Sequence, residues 1–367
     1  MPDIPEQGQP GQPGPYGDPH GWGPHGWGPP GWGPHGWAPP PPPPKPGVIP
    51  LAPLGADHVL GGAFATMRRY AKPLFGTAAA AYGLLTVVMT GALLAAYAAT
   101  REDSRAMYEP GATFSWEHGR PLLMAFGAVW ALVLLASLAV NSFIQAACAA
   151  TLHEAVLGRP TTFRAIWRRA WSRTPTVAAV TVPLAVILLL PVAAFALLLV
   201  AFFVTLLTDS AAPFGLIFLL CLLVLPLAAW LYVLFAFAPA AAVLESAGPL
   251  TALRRSAHLV RGAWWRTFGI SLLAGIIVLI VSLAFRLPLQ FAAPEPPAVH
   301  PDSDTSEVLF SQLRSQFGLY ALLGMIGTLL TQLLATVFLP LVTALLYIDR
   351  RIRGEGLART LAEASRP

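Results

Sequence analysis

Six long apolar stretches divide this chain. They run from about Leu74 to Tyr97, Pro121 to Leu152, Thr176 to Leu207, Phe214 to Leu244, Thr267 to Phe285 and Leu319 to Ile348. Each is near or above the roughly 20 residues that a helix needs to cross a hydrocarbon core about 30 Å thick. No Asp, Glu, Lys or Arg lies well inside any of them. The pattern therefore predicts an all-α membrane protein with six transmembrane helices. Pro183, Pro191, Pro226 and Pro239 fall within the third and fourth stretches and predict kinks, which membrane helices tolerate.

A different period precedes the first, third and fifth stretches. Leu60, Phe64, Met67 and Ala71 form an apolar stripe with Arg68, Arg69 and Lys72 beside it, and Asp57 suits an N-cap. Phe163, Ile166, Trp167, Ala170 and Trp171 form a second stripe, with Arg164 and Arg168 opposite and Arg169 and Arg173 nearby. Pro175 marks the turn from that segment into its span. The third segment runs from Gly248 to Gly269. There Leu250, Leu253, Val260 and Trp264 share one face, and Arg254, Arg255, His258 and Arg261 share the other. Gly248 suits a helix end and Pro249 the first turn of the next helix. Trp264, Trp265 and Arg266 then fall where lipid headgroups begin.

These segments predict three copies of one unit, an interfacial amphipathic helix followed by two spanning helices. Lys72-Pro-Leu-Phe-Gly76 resembles Arg266-Thr-Phe-Gly269 where spans begin. Glu154 with Gly158, Pro160 and Thr161 resembles Glu245 with Gly248, Pro249 and Thr251 where spans end. The residues assigned to the membrane interface are Arg68, Arg69, Lys72, Arg164, Trp167, Arg168, Arg169, Trp171, Arg254, Arg255, Arg261, Trp264, Trp265 and Arg266.

Charge sets the orientation. Segments 67–72, 159–173, 254–266 and 350–366 carry three, five, four and five Lys or Arg, whereas 100–120, 208–213 and 286–318 carry three, none and two. Basic residues in short flanking loops mark the cytoplasmic side. Both termini and all three amphipathic helices are therefore expected there, against an anionic inner leaflet worth about 1 kcal/mol per basic residue.

Composition agrees with the pattern. The chain of 367 residues is 55% hydrophobic and 11% charged, with a mean hydropathy of +0.61, against roughly 25% charged in soluble domains. The net charge of +5 does not imply nucleic acid as a partner, because the basic residues flank membrane segments. There are 21 Arg and 2 Lys, a bias that fits a G+C-rich bacterial genome and hence a bacterial cell membrane. Cys148 and Cys221 sit singly in apolar surroundings, so neither a disulfide framework nor a zinc pattern follows.

Residues 1–48 contain no apolar h-region, and no cleavable signal peptide is expected. They repeat HGWGP at 20–24 and 25–29, PGWGP at 30–34 and HGWAP at 35–39, then run through six prolines, Pro39 to Pro44. Such a segment cannot bury a core and reads as a disordered, polyproline-rich cytoplasmic tail. His20, His25 and His35 could offer imidazoles to copper or zinc, but no carboxylate or thiolate completes a site. A membrane domain over 49–350 and a cytoplasmic tail over 351–367 complete the organisation.

Catalytic signatures are missing: no Walker loop, GxGxxG, HExxH, CxxC or GxSxG occurs in a suitable setting. His153-Glu154 reads as a pair of interfacial residues at a helix end. Counted from Pro121, Asn141 lies about 30 Å along its helix, which puts Asn141 and Gln145 near the cytoplasmic interface. Gln332 is deeper and suits interhelical contact, as do the small residues Gly83, Thr86, Gly91, Gly324 and Gly327.

Three functions follow as expectations. The first is a non-enzymatic scaffold, anchor or regulator, with the Pro/Trp-rich tail reaching a protein partner. The second is a transporter or channel for a lipidic or small solute, which a cavity lined by Gln332, Thr181 and Ser271 would favour. The third is an intramembrane lipid enzyme, which would need His153, Glu154, His258 and Glu245 in one pocket. No cofactor is expected under the first.

Several boundary motifs also carry a resemblance. Gly47-Val-Ile-Pro-Leu51, Pro53-Leu-Gly with Gly62-Ala-Phe64, Leu253-Arg-Arg-Ser256, Leu259-Val-Arg-Gly262 with Trp265-Arg266, and Leu346-Tyr-Ile-Asp-Arg-Arg-Ile-Arg353 with Glu355-Gly356 resemble actinobacterial multi-pass proteins grouped with the glycerophosphoryl diester phosphodiesterase membrane domain. The likeness covers about residues 47 to 360. That family takes its name from fusions to a separate barrel-shaped hydrolase. A barrel of about 250 residues has no room here, so the resemblance implies the membrane part without the phosphodiesterase activity or its catalytic residues.

Overall fold

In a computed structural model, residues 47–50, 52–108, 115–208, 212–291 and 319–357 are described. The Pro/Gly/Trp-rich tail, the connections 109–114, 209–211 and 292–318, and residues 358–367 lie outside them.

The chain forms α1 (Ala56–Arg69), α2 (Ala71–Tyr108), α3 (Trp116–Val156), α4 (Phe163–Thr208), α5 (Ala212–Phe235), α6 (Ala238–Leu244), α7 (Pro249–Val260), α8 (Trp264–Phe291) and α9 (Leu319–Glu355). Six of the described helices are long and apolar enough to cross a membrane. Chain neighbours α2 and α3, α4 and α5, and α8 and α9 pack as pairs. Helix α9 is the hub, touching α1, α2, α3, α6, α7 and α8.

Burial is concentrated towards one end of this bundle. Ile49, Leu54, Val59, Leu74, Ile144, Leu152, Phe237, Phe338, Leu345 and Tyr347 are fully enclosed there. Elsewhere the spans carry large apolar side chains outward, among them Leu189, Val192, Phe195, Phe203, Leu206 and Leu207 on α4 and Leu216, Leu219, Leu222 and Leu223 on α5. Helices apolar on their outward faces over such lengths are at equilibrium only in lipid. The chain is a multi-pass integral membrane protein.

Three details depart from the sequence pattern. The second amphipathic segment is not a separate helix, because α4 runs unbroken for 46 residues through Pro175. Proline deprives the carbonyl four residues earlier of its donor. That residue is Trp171, which is exposed like Pro175 itself, so the carbonyl is free to meet solvent or headgroups and the helix need not end. At the other extreme, Pro239 marks a full break rather than a kink: α5 stops at Phe235, and α6 starts afresh at Ala238 with the proline in its first turn. Ser256 of α7 closes this gap. Its hydroxyl donates to the carbonyl of Leu234 at 2.8 Å and accepts the N–H of Phe237 at 3.1 Å. Because Ser256 is fully buried, Ser256→Ala strands both backbone groups. The expected loss is about 2 kcal/mol, read from unfolding of the purified protein in mixed micelles.

The third departure is the end of α9. The pattern ends the last apolar stretch at Ile348, leaves Asp349 just outside it and begins the cytoplasmic tail at 351. The helix instead continues to Glu355, and Asp349 is completely buried. The first connection is also shorter than expected, since α2 continues to Tyr108 and α3 begins at Trp116. Between α7 and α8 the chain turns at Gly262, whose φ of +82° suits a residue without a Cβ.

Candidate functional site

The tightly packed end is held by three polar assemblies. The first fastens a non-helical strap, residues 47–50 and 52–55, across the helix ends. Val48 donates its N–H to the carbonyl of Ala155 at 3.2 Å. Leu54 then meets a buried charge cluster. Its N–H donates to Asp349 Oδ1 at 2.7 Å, and its carbonyl accepts from Arg266 Nη2 at 2.6 Å and Arg353 Nη2 at 2.8 Å. Arg266 Nη1 pairs with the other carboxylate oxygen of Asp349, and Arg353 Nε reaches both oxygens at 3.0 and 3.2 Å. The Asp349 carboxylate thereby accepts from the N–H of Leu54 and from both guanidiniums, which also donate to the carbonyl of Leu54. A buried charge survives only when paired and hydrogen-bonded in this way.

Glu245, at the end of α6, organises the second assembly. Arg255 of α7 grips both its oxygens through Nε at 3.2 Å, with Nη2 at 3.1 Å from Oε1. The Tyr347 hydroxyl donates to the same carboxylate. Arg255 also pairs with Glu355, which Arg351 holds at 2.9 Å. Burial works against the charge on Arg255, but hydrogen bonding to Glu245 and then to Glu355 outweighs it and raises the guanidinium pKa further.

The third assembly is looser. Glu154 pairs with Arg169 at 3.1 Å, the Tyr70 hydroxyl donates to the carbonyl of Arg159 at 2.9 Å, and Arg173 donates to Ser246 Oγ at 2.7 Å. Glu154–Arg169 and Glu245–Arg255 are the same device used twice. In each, a glutamate where a helix ends is held by an arginine in the amphipathic segment that follows.

The residues assigned to the membrane interface separate into groups. Arg68, Lys72, Arg164, Arg168, Arg254 and Arg261 are exposed. Trp171 and Trp265 also face outward, while Arg69 and Arg169 are exposed with partners across the bundle end. Trp167 packs its ring on Phe143 and Phe163, and Trp264 stacks on Phe268 and donates to the carbonyl of Trp230 at 3.4 Å. Arg255 and Arg266 are partly exposed and are engaged in the ion-paired assemblies above. A helical-face argument does not see these pairings, with Glu245 and Glu355 for Arg255 and Asp349 for Arg266.

None of His153, Glu154, His258 and Glu245 lines the cavity described below. Glu154 and Glu245 belong to separate ion pairs, and among the described residues no group of three or more His, Cys, Asp or Glu could hold a metal ion.

Beneath the polar end, α3, α4, the α5–α6 break and α9 line a half-open cavity of about 280 Å³. Its polar lining comes from Asn141, Gln145, Thr181, Tyr232, Thr336 and Thr343. Of the three residues expected around a transport cavity, only Thr181 is there. Gln332 donates to the Tyr82 hydroxyl at 3.3 Å elsewhere, and the Ser271 hydroxyl is buried with no partner among the described residues. Asn141 and Gln145, expected near the cytoplasmic interface, both line this cavity, Asn141 exposed and Gln145 half-buried. The prolines 239 and 340, which both line the cavity, were the available clue, since proline in a span frees backbone groups that tend to gather at binding sites.

The motifs behind the family likeness come together at this end. Gly47 to Leu54, Ser256, Arg266, Asp349 and Arg353 are the strap, its charge cluster and the serine that bridges the helix break. Residues 79–348, nearly three quarters of the chain, match the model of a family described as a domain of unknown function (DUF7847). No curated protein and no solved structure matches the chain.

Proposed function

We propose that this protein, which belongs to the DUF7847 family, is a non-enzymatic anchor or scaffold of the bacterial cell membrane, with both termini in the cytoplasm. The observation that carries this reading is the strap. The chain leaving the Pro/Gly/Trp-rich tail is fastened at once: Val48 to α3, and Leu54 to Asp349, Arg266 and Arg353. A partner bound to the tail would therefore be joined to a chain whose entry into the bundle is fastened at Val48 and Leu54. The charged groups of the packed end support the same role, because Glu154, Glu245, Asp349 and Glu355 all hold helices together. Arg68, Lys72, Arg164, Arg168, Arg254 and Arg261 remain outward, where an anionic leaflet attracts them. The likeness to membrane domains that accompany a separate hydrolase fits a part that places other proteins at the membrane.

The test is crosslinking and affinity capture of the tagged protein from its own membrane, with and without residues 1–48. A stable protein partner that is lost on deleting the tail is the expected outcome. Co-purification of a solute or lipid with no protein partner in either form would refute the anchor and favour transport.

A further inference from the structure

The cavity beneath the polar end presents uncharged hydrogen-bonding groups at a depth where water is scarce. On α9 it extends from Thr343 to Thr336, about 9 to 20 Å along the helix from Asp349. Asp349 pairs with Arg266, next to the Trp264–Trp265 pair assigned to headgroup level. Half of a hydrocarbon core is about 15 Å, so the cavity lies well below the headgroups.

Its hydrogen-bonding capacity is only partly used. Gln145 Nε2 donates weakly to Asn141 Oδ1 at 3.4 Å. Among the described residues the Asn141 amide nitrogen has no acceptor, the Gln145 carbonyl oxygen no donor, and the Tyr232 hydroxyl no partner. Asn141 is exposed, an unfavourable state for an amide at this depth unless something occupies the space beside it. The Thr336 and Thr343 hydroxyls donate to the carbonyls of Gln332 at 2.8 Å and Pro340 at 3.0 Å, which leaves their lone pairs for a ligand. Pro239 and Pro340 deprive the carbonyls of Phe235 and Thr336 of their usual helical donors. The balance is a surplus of acceptors, with an amide and a phenol as donors.

No ionised side chain lines the cavity. An anionic or cationic group would enter it without a counter-charge, at a heavy desolvation cost. Leu138, Leu184, Leu188 and Leu339 supply an apolar wall beside the polar groups, a division typical of small-molecule sites. We propose that this cavity binds an uncharged ligand through a hydroxyl group, which donates to the threonine, amide or backbone oxygens and accepts from Asn141 or Tyr232. The proposal is independent of the anchoring role, since a bound ligand neither requires nor excludes a partner on the tail.

Two sources carry such a hydroxyl, a membrane-borne long-chain alcohol or diglyceride and a water-borne polyol. The experiment uses the full-length protein in phospholipid nanodiscs with hexadecanol carrying a diazirine in its chain, and labelled peptides are mapped by mass spectrometry. Labelling is expected in 138–145, 184–188 or 336–343 and should be displaced by unlabelled hexadecanol or dioleoylglycerol but not by palmitate. Asn141→Leu and Tyr232→Phe should each lower it about fivefold, the scale of one neutral hydrogen bond. Thr86→Val, on α2 away from the cavity, should leave it unchanged. Tyr232→Phe removes a single unpartnered oxygen and serves if Asn141→Leu does not fold. Displacement by glycerol as well would support the site and assign its hydroxyl to the aqueous source. Labelling spread evenly over lipid-facing helices, unaltered by both variants, or displaced equally by palmitate would overturn the proposal.

Discussion

Asp349→Ala is expected to destabilise the protein by about 3–5 kcal/mol, the scale for removing one partner of a buried ion pair. Three consequences combine. Arg266 and Arg353 lose their shared carboxylate, with Arg266 left beside a peptide carbonyl as its remaining partner. The N–H of Leu54 loses its acceptor, and the strap loses one of its fastenings. Replacing Asp349, Arg266 and Arg353 together by apolar residues removes the stranded charges but does not restore stability, because the N–H and C=O of Leu54 are then both unsatisfied. This separates the cluster from an ordinary buried salt bridge, for which apolar replacement is often neutral. Asp349→Asn keeps the shape and an acceptor for Leu54, so its loss is smaller. Unfolding in mixed micelles, compared across the single and triple variants, reads these differences. A single variant within 1 kcal/mol of the parent, on the scale of an exposed pair, would contradict this account of the cluster.

Gly47→Val should detach the start of the strap. A Cβ at Gly47 would sit 2.1 Å from the carbonyl oxygen of Ala155 and 2.5 Å from that of Val156, and a helix-end carbonyl has no room to retreat. The hydrogen bond from Val48 to Ala155 is lost with the displacement, and Ile49, fully buried against Gly62, is drawn out of its seat. Uncovering one or two such side chains costs about 1.5–3 kcal/mol each, with some recovered where the strap settles elsewhere. Limited proteolysis of the micellar protein should show new cleavage between residues 47 and 55 and a matching loss of stability. Gly61→Ala is the control. Nothing lies within 4 Å of a Cβ there, and Gly to Ala within a helix gains about 0.5–1 kcal/mol. An unchanged cleavage pattern in Gly47→Val would mean that the strap is not seated as described.

The parts of the fold that follow from local pattern were legible in the sequence, and those that depend on distant pairing were not. Uninterrupted apolar runs fixed the number of spans, because hydrocarbon leaves backbone polar groups no partner outside a helix. The α5–α6 break was foreshadowed by Pro239, although Ser256, which satisfies the broken backbone, comes from a different helix. Pro175 misled because a proline marks an end only when the freed carbonyl has nowhere to go, and Trp171 is exposed. Asp349 looked like a residue just outside the last span because its partners, Leu54 and Arg266, lie 295 and 83 residues away. No periodicity along α9 carries that information. The ion pairs of Arg255 and Arg266 were not legible either: a cation flanking a span has one appearance whether it meets lipid phosphate or a carboxylate of its own chain. Asn141 and Gln145 were recognisable as amides within the second apolar stretch, but the cavity they line is completed by α4, α5 and α9, which no pattern along α3 reveals.

The claim on which the rest depends is that the strap, the ion-paired end and all three amphipathic segments lie together on the cytoplasmic side of a six-span bundle. Paired reporter fusions test it directly. A reporter active only outside the cytoplasm should work when fused near Asp209, between α4 and α5, and should be silent when fused at Pro367. Activity at Pro367 with silence near Asp209 would contradict the account.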